Sequence, residues 1–151
     1  MKFKFFIDTI DCGTLANYQL IVYNIDDKLT QGGSVMDNRI ELSKEEIENV
    51  LQKIRNADNN CFKLVKRDSD YLKDPKIFMI NLGIDMTDLI FIIKEIEYEN
   101  YKECILDIKN KYVYLYVFKK KVYDTDAYIK IGFKYDDDTG NVYIISFHED
   151  M

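Results

Sequence analysis

The sequence predicts an α+β domain: an antiparallel sheet with three helices packed on one side and an N-terminal β-hairpin added to it. Three observations lead there. Helix signals cluster between residues 42 and 96. The hydrophobic period then changes from helical to two, and four stretches with the shorter period fill the C-terminal third. Helices grouped together, rather than alternating with strands, imply α+β and not a parallel α/β sheet.

Phe3 to Thr9 and Asn17 to Ile25 are rich in aromatic and β-branched residues and read as strands. The link from Ile10 to Ala16 carries Asp11 and Gly13, which suits a turn. Alternation nominates Phe3, Phe5, Ile7, Leu20 and Val22 for the buried face of this hairpin. Asp26 to Arg39, with Gln31-Gly32-Gly33-Ser34, is polar and reads as a surface loop. Ser43 and Glu46 then form a capping-box pattern, in which each side chain satisfies the other's free backbone N–H. Ile47, Val50, Leu51 and Ile54 follow on one helical face. Cys61 to Lys66 reads as a short extended segment.

A second helix is marked at both ends. Asp74 suits the N-cap, Pro75 the first helical position and Gly83 the C-terminal cap. A third begins near Asp85, with Asp88 in its first turn, where the helix dipole favours negative charge. Met86, Leu89, Ile90, Ile93 and Ile96 form its apolar stripe. Tyr101 to Asp107, Lys111 to Tyr123, Ala127 to Tyr135 and Val142 to His148 read as strands. The polar run Asp136 to Asn141, ending Gly-Asn, reads as a hairpin turn. The whole chain, 1–151, reads as one domain, with 1–40 a hairpin and loop extension and 41–151 the α+β core.

Composition narrows the function classes. With 151 residues, 47% hydrophobic and 14% aromatic, the chain can bury a core and is not disordered. Its longest apolar run, Leu89 to Ile93, is far shorter than the ~18 residues of a membrane span. Lys2 and Lys4 are followed too soon by Asp8 for a signal-peptide core. A soluble, cytoplasmic protein with no membrane association is the expectation. Cys12, Cys61 and Cys104 are odd in number and widely spaced, and read as reduced structural thiols. His148 is the single histidine, so a metal site built on two histidines is excluded within one chain. Gly32-Gly33 is a bare doublet, and no phosphate-loop pattern is present. No cofactor and no metal is implied. Asp136-Asp137-Asp138 lacks the alternating ligands and closing glutamate of a calcium loop.

A net charge of −6 argues against broad nucleic-acid binding. The segment from Lys111 to Lys134 is nonetheless basic, through Lys111, Lys119, Lys120, Lys121, Lys130 and Lys134 against Asp124 and Asp126. Consecutive antiparallel strands usually neighbour each other, so Lys102, Tyr128, Lys130 and His148 are candidates for one sheet face. Tyr128 and Lys130 share parity, and with the Lys119/Lys121 pair they supply cations and a phenol on strands expected to be adjacent. Such a set suits metal-free RNA cleavage, which needs a base for the ribose 2′-hydroxyl, cations for the phosphorane charge and a proton for the leaving oxygen. The plainer reading stands beside it: lysines on solvated strand faces, Tyr112, Tyr114, Tyr116, Tyr123 and Tyr128 as packed strand aromatics, and His148 as a surface residue.

The order of several short words carries a family resemblance. Leu42 to Asn56 is an amphipathic helix, and Leu82-Gly83-Ile84-Asp85 an inter-helix step. Ile90 to Ile96 is an apolar stripe, and Asn100-Tyr101-Lys102 opens a strand. Ala127-Tyr128-Ile129-Lys130-Ile131 and Val142 to Glu149 are the later strands. Together they resemble the MqsR family, the mRNA interferase toxins of type II toxin–antitoxin pairs. The resemblance spans about 110 residues by eye. It implies a curved antiparallel sheet with helices on one side, metal-independent mRNA cleavage and a neutralising antitoxin partner. It makes Lys102 the site lysine and Tyr128 the site tyrosine, and puts His148 in the place of the family's terminal lysine. The residue reading adds Lys130 and Lys121, with Lys102, as cations that bind phosphate or stabilise charge. The chain departs from the family pattern at Leu115, where the family has glutamine, at Tyr114, where it has tryptophan, and in its acidity. Residues 1–40 are unmatched. The departures motivate a rival expectation: a non-catalytic acidic interaction protein, either a phage- or plasmid-encoded inhibitor or a degenerate toxin-like binding module.

Overall fold

The computed structural model describes residues 38–65, 71–107, 112, 114–134 and 139–151 in full, and residues 2–8 and 18–24 as backbone. Strands β1 (Lys2–Asp8) and β2 (Tyr18–Asn24) pair antiparallel as a separate two-stranded sheet. Phe3, Phe5 and Ile7 lie opposite Tyr23, Ile21 and Gln19, so Leu20 and Val22 belong to the other parity than the sequence reading gave them. The expected turn at 10–16, the Gly32-Gly33 loop and the Asp136–Asp138 part of the hairpin turn lie outside the described residues.

The first helix, α1 (Lys44–Asn56), opens on the expected capping box. The Ser43 amide donates to Glu46 Oε2 at 3.0 Å, and the Glu46 amide donates to Ser43 Oγ at 3.2 Å. Helix α2 (Pro75–Leu82) is capped by Asp74, whose carboxylate accepts from the Lys76 amide at 2.9 Å. It ends at Gly83, which has φ 71°, a left-handed conformation that costs glycine nothing. Helix α3 (Met86–Lys94) starts at Asp85, and Asp88 does more there than meet the dipole. Its carboxylate accepts from the Asp85 amide at 3.1 Å while Asp85 accepts from the Asp88 amide at 2.9 Å, a second capping box.

Six strands form the main sheet, in the order β3-β5-β6-β7-β8-β4. They are β3 (Arg39–Ile40), β4 (Phe62–Leu64), β5 (Tyr101–Leu106), β6 (Tyr114–Val122), β7 (Thr125–Gly132) and β8 (Val142–Glu149). The run β5 to β8 is an antiparallel meander, as short connections dictate. Two features correct the sequence reading. Arg39 and Ile40, placed there in or beside a loop, pair with Ile105 and Cys104 at one sheet edge. At the other edge β4 runs parallel to β8, so the sheet is mixed and not purely antiparallel. The long connection between β4 and β8 permits a parallel partner that a hairpin does not.

One face of the sheet builds the core. Phe118, Ile129 and Phe147 are a cross-strand row on β6, β7 and β8, each fully buried. They join one cluster with Leu51 and Ile54 of α1, Phe78 of α2, and Leu89 and Ile93 of α3. Phe78 meets Phe147 with ring centroids 4.8 Å apart. Val117 and Ile145 are also buried, but they stand apart from that cluster. Val117 has the opposite parity to Phe118, so it belongs to the second face.

Cys104 is a buried thiol outside any disulfide, whereas Cys61 is disulfide-bonded. The expectation of three reduced thiols is thereby corrected: distance in space, which decides pairing, is not written in cysteine spacing. Among the described residues, no helix is long and apolar enough to cross a membrane.

Candidate functional site

The second sheet face is where the chemistry-bearing residues gather. The tight turn between β6 and β7 pairs Val122 with Thr125, and this sets the register back along the hairpin. Lys119 then lies opposite Tyr128, and Tyr128 lies opposite His148. The result is one row across three strands: Lys119, Tyr128, His148. Two residues along, Val117, Lys130 and Ser146 form the next row.

The Tyr128 and His148 rings are stacked, with centroids 4.9 Å apart and planes 12° from parallel. Lys130 Nζ sits 5.7 Å from the Tyr128 ring centroid. This is a cation–π distance, so the ammonium is held beside the stack. Lys119 Nζ is 3.1 Å from Asp150 Oδ2, an ion pair at the end of the same face. His148 Nδ1 lies 2.8 Å from the Glu149 carbonyl oxygen. A carbonyl only accepts, so Nδ1 carries the proton, and in the neutral ring Nε2 is left with a lone pair. His148 is 7% exposed, and Ser146 beside it is fully buried. The Ser146 hydroxyl has no hydrogen-bond partner among the described residues.

A β-bulge makes this arrangement. Lys130 pairs with Ser146, but Ile131 pairs with Ile144, so Ile145 is an extra residue in β8. The inserted residue reverses the parity of the strand's end relative to its start, and it puts His148 in the row of Tyr128.

The residues nominated from sequence are distributed as follows. Tyr128 and His148 are in contact, and Lys130 is their neighbour. Lys121 is exposed and lies opposite Asp126, one row beyond Lys119 toward the hairpin tip. Lys102 is exposed and sits in a bulge of β5, between the Tyr101–Phe118 and Glu103–Val117 pairs. One strand separates it from β7, so its backbone is about 10 Å from that of Lys130. It is not brought against the stack. Leu115, the position where the resembled family has glutamine, is half-buried opposite Gly132. Lys119, grouped with Lys121 as a cation of the set in the sequence reading, is the direct neighbour of Tyr128. Its signal was present: the hairpin register that gives Tyr128 a partner names Lys119 as that partner. Lys120, adjacent in sequence, has the opposite parity and belongs to the helix-covered face.

The cations of this second face are partly matched by acids. Arg39 Nε is 3.0 Å from Glu103 Oε2, in addition to the Lys119–Asp150 pair. Among the described residues, no group of three or more His, Cys, Asp or Glu is arranged to hold a metal ion.

No family model, curated protein or solved structure matches this chain.

Proposed function

We propose that this protein is a metal-independent endoribonuclease of the MqsR-like toxin class, acting on mRNA from the second face of its sheet and held in check by a protein partner. The row Lys119–Tyr128–His148 carries the reading. Nε2 of His148 takes the proton of a ribose 2′-hydroxyl. The 2′-oxygen attacks the adjacent phosphorus, the bond to the 5′-oxygen breaks, and a proton passes to that oxygen. The products are a 2′,3′-cyclic phosphate and a 5′-hydroxyl. Lys130 and Lys119 hold the phosphorane charge, Tyr128 orients the scissile unit and the imidazole, and Lys121 and Lys102 bind flanking phosphates.

The test is purified protein on mRNA with a chelator present. Cleavage giving cyclic-phosphate ends is expected, with His148→Ala lowering the rate at least about 100-fold, the scale of a lost general base. Intact RNA with the native protein, or undiminished cleavage by His148→Ala, refutes the reading.

One observation favours a second reading, that of a non-catalytic interaction protein. His148 is only 7% exposed, and two of the face's cations are paired with acids in a chain of net charge −6. A chain of net negative charge suits a basic groove on a partner protein. Under that reading the protein leaves RNA intact, and its binding to a basic partner weakens steeply with salt.

A further inference from the structure

On the other side of the molecule from the Tyr128–His148 stack lies a cleft of about 570 Å³, lined by Arg55, Lys94, Glu95, Glu97 and Lys120. Its cations come from three separate elements: Arg55 from the end of α1, Lys94 from the last turn of α3, and Lys120 from the helix-side face of β6. Two of them are fixed by backbone carbonyls. Arg55 Nη2 donates to the Ile96 carbonyl at 2.8 Å, and Lys120 Nζ reaches the Glu95 carbonyl at 3.5 Å. Lys94 Nζ lies 5.6 Å from the Phe62 ring centroid.

Capping the end of α3 accounts for part of this, since cations belong at helix C-termini. It does not use the set up. A guanidinium has five N–H donors and an ammonium three, so most of the donors remain after those two carbonyl bonds. The two glutamates line the same cleft, yet none of the three cations forms an ion pair with a described carboxylate. Three cations and two carboxylates line one open space without forming an ion pair among the described residues, so the cleft keeps an excess of positive charge in an otherwise acidic protein.

We infer that this cleft binds a small phosphorylated polyol, a sugar phosphate, with Arg55, Lys94 and Lys120 on the phosphate and Glu95 and Glu97 accepting from its hydroxyls. Size and lining set the class. The volume falls in the range of small-molecule sites, well above what a lone phosphate fills. Among the described residues no aromatic side chain lines the cleft to stack a nucleobase, and the carboxylates call for hydroxyl donors. The phosphate takes the fixed guanidinium fork and the two ammonium groups. The inference is independent of the ribonuclease reading, because it uses none of the residues of the stacked row.

The experiment is an amide-detected NMR titration of the full chain with ribose 5-phosphate, inorganic phosphate and ribose in parallel. Ribose 5-phosphate is expected to shift the Lys94–Glu97 and Lys120 amides saturably. Inorganic phosphate should bind at least about fivefold more weakly, and ribose without saturation. Lys94→Gln, at a half-exposed position that leaves both carbonyl bonds in place, should weaken ribose 5-phosphate binding about tenfold. Glu97→Gln should erase the preference over inorganic phosphate. No saturable shift with ribose 5-phosphate, equal affinity for inorganic phosphate, or unchanged binding by Lys94→Gln would each overturn the proposal.

Discussion

Tyr123 illustrates how a single residue bears the cost of a register. It has φ 54° at the tip of the β6–β7 hairpin, and among the described residues it alone enters the left-handed region without being glycine. It is 68% exposed, so no burial offsets the conformation. Left-handed backbone costs an L-residue about 1–2 kcal/mol, and glycine's extra unfolded-state entropy returns about 0.5–1 kcal/mol of that. Tyr123→Gly should therefore raise the unfolding free energy in urea by about 0.5–1 kcal/mol; an unchanged or lowered value contradicts this. Tyr101 makes a second residue-scale prediction. Burial, reinforced by Cys104 and Glu103 nearby, raises its phenol well above the ordinary value of 10.0. Folding thus favours the neutral phenol. That contribution is fully present below pH 10 and is lost as pH rises above it. Stability should fall between pH 9.5 and 11, by about one tenfold step in the folding constant per pH unit at most for this group, and Tyr101→Phe should flatten the fall.

At the scale of elements, the local chemistry of the helix ends was fully legible. Ser43 with Glu46, Asp74 with Pro75, and Gly83 act within one turn, so spacing alone specifies them. Asp88 shows the limit of that legibility: its dipole role was readable, but its return bond to the Asp85 amide was not anticipated from an aspartate. Ser43→Ala should cost about 1 kcal/mol in chemical denaturation while Ser43→Asp keeps most of it, because either oxygen can accept from the Glu46 amide. Equal loss by both variants would assign the effect to packing. Strands were legible where a short turn joins them, as in β6 and β7. Arg39–Ile40 was not, and Phe62–Leu64 was legible as an extended segment but not as a partner of β8: the partners Cys104 and Val142 are remote in sequence, and no local pattern encodes the choice between parallel and antiparallel.

For the molecule as a whole, the helix-covered face of the sheet builds the main core. Phe147 ties β8 to α2 through Phe78 and is fully buried. Phe147→Ala should cost about 3–5 kcal/mol, a large share of the reserve of a domain this size, and lower the melting temperature without selectively touching the second face. A loss below about 1 kcal/mol would mean that the core collapses around the gap. The candidate site was legible in part. Tyr128, Lys130 and their shared side were readable from alternation. That His148 joins them depends on Ile145, the extra residue in β8, and simple parity counting along Val142–Glu149 does not reveal it.

By itself, then, the sequence determined what short range controls: the class of each long element, the helix caps, the antiparallel meander from β5 to β8, and the alternation that separates Lys119 from Lys120. The tertiary structure alone decided the mixed edge of the sheet, the two bulges, the place of Lys102 away from the stacked pair, and the meeting of Arg55, Lys94 and Lys120 at one cleft. The physical reason is common to all of these. Capping and alternation are set by neighbours within a turn or a strand, whereas bulges, edges and clefts are set by which distant surfaces best share one core.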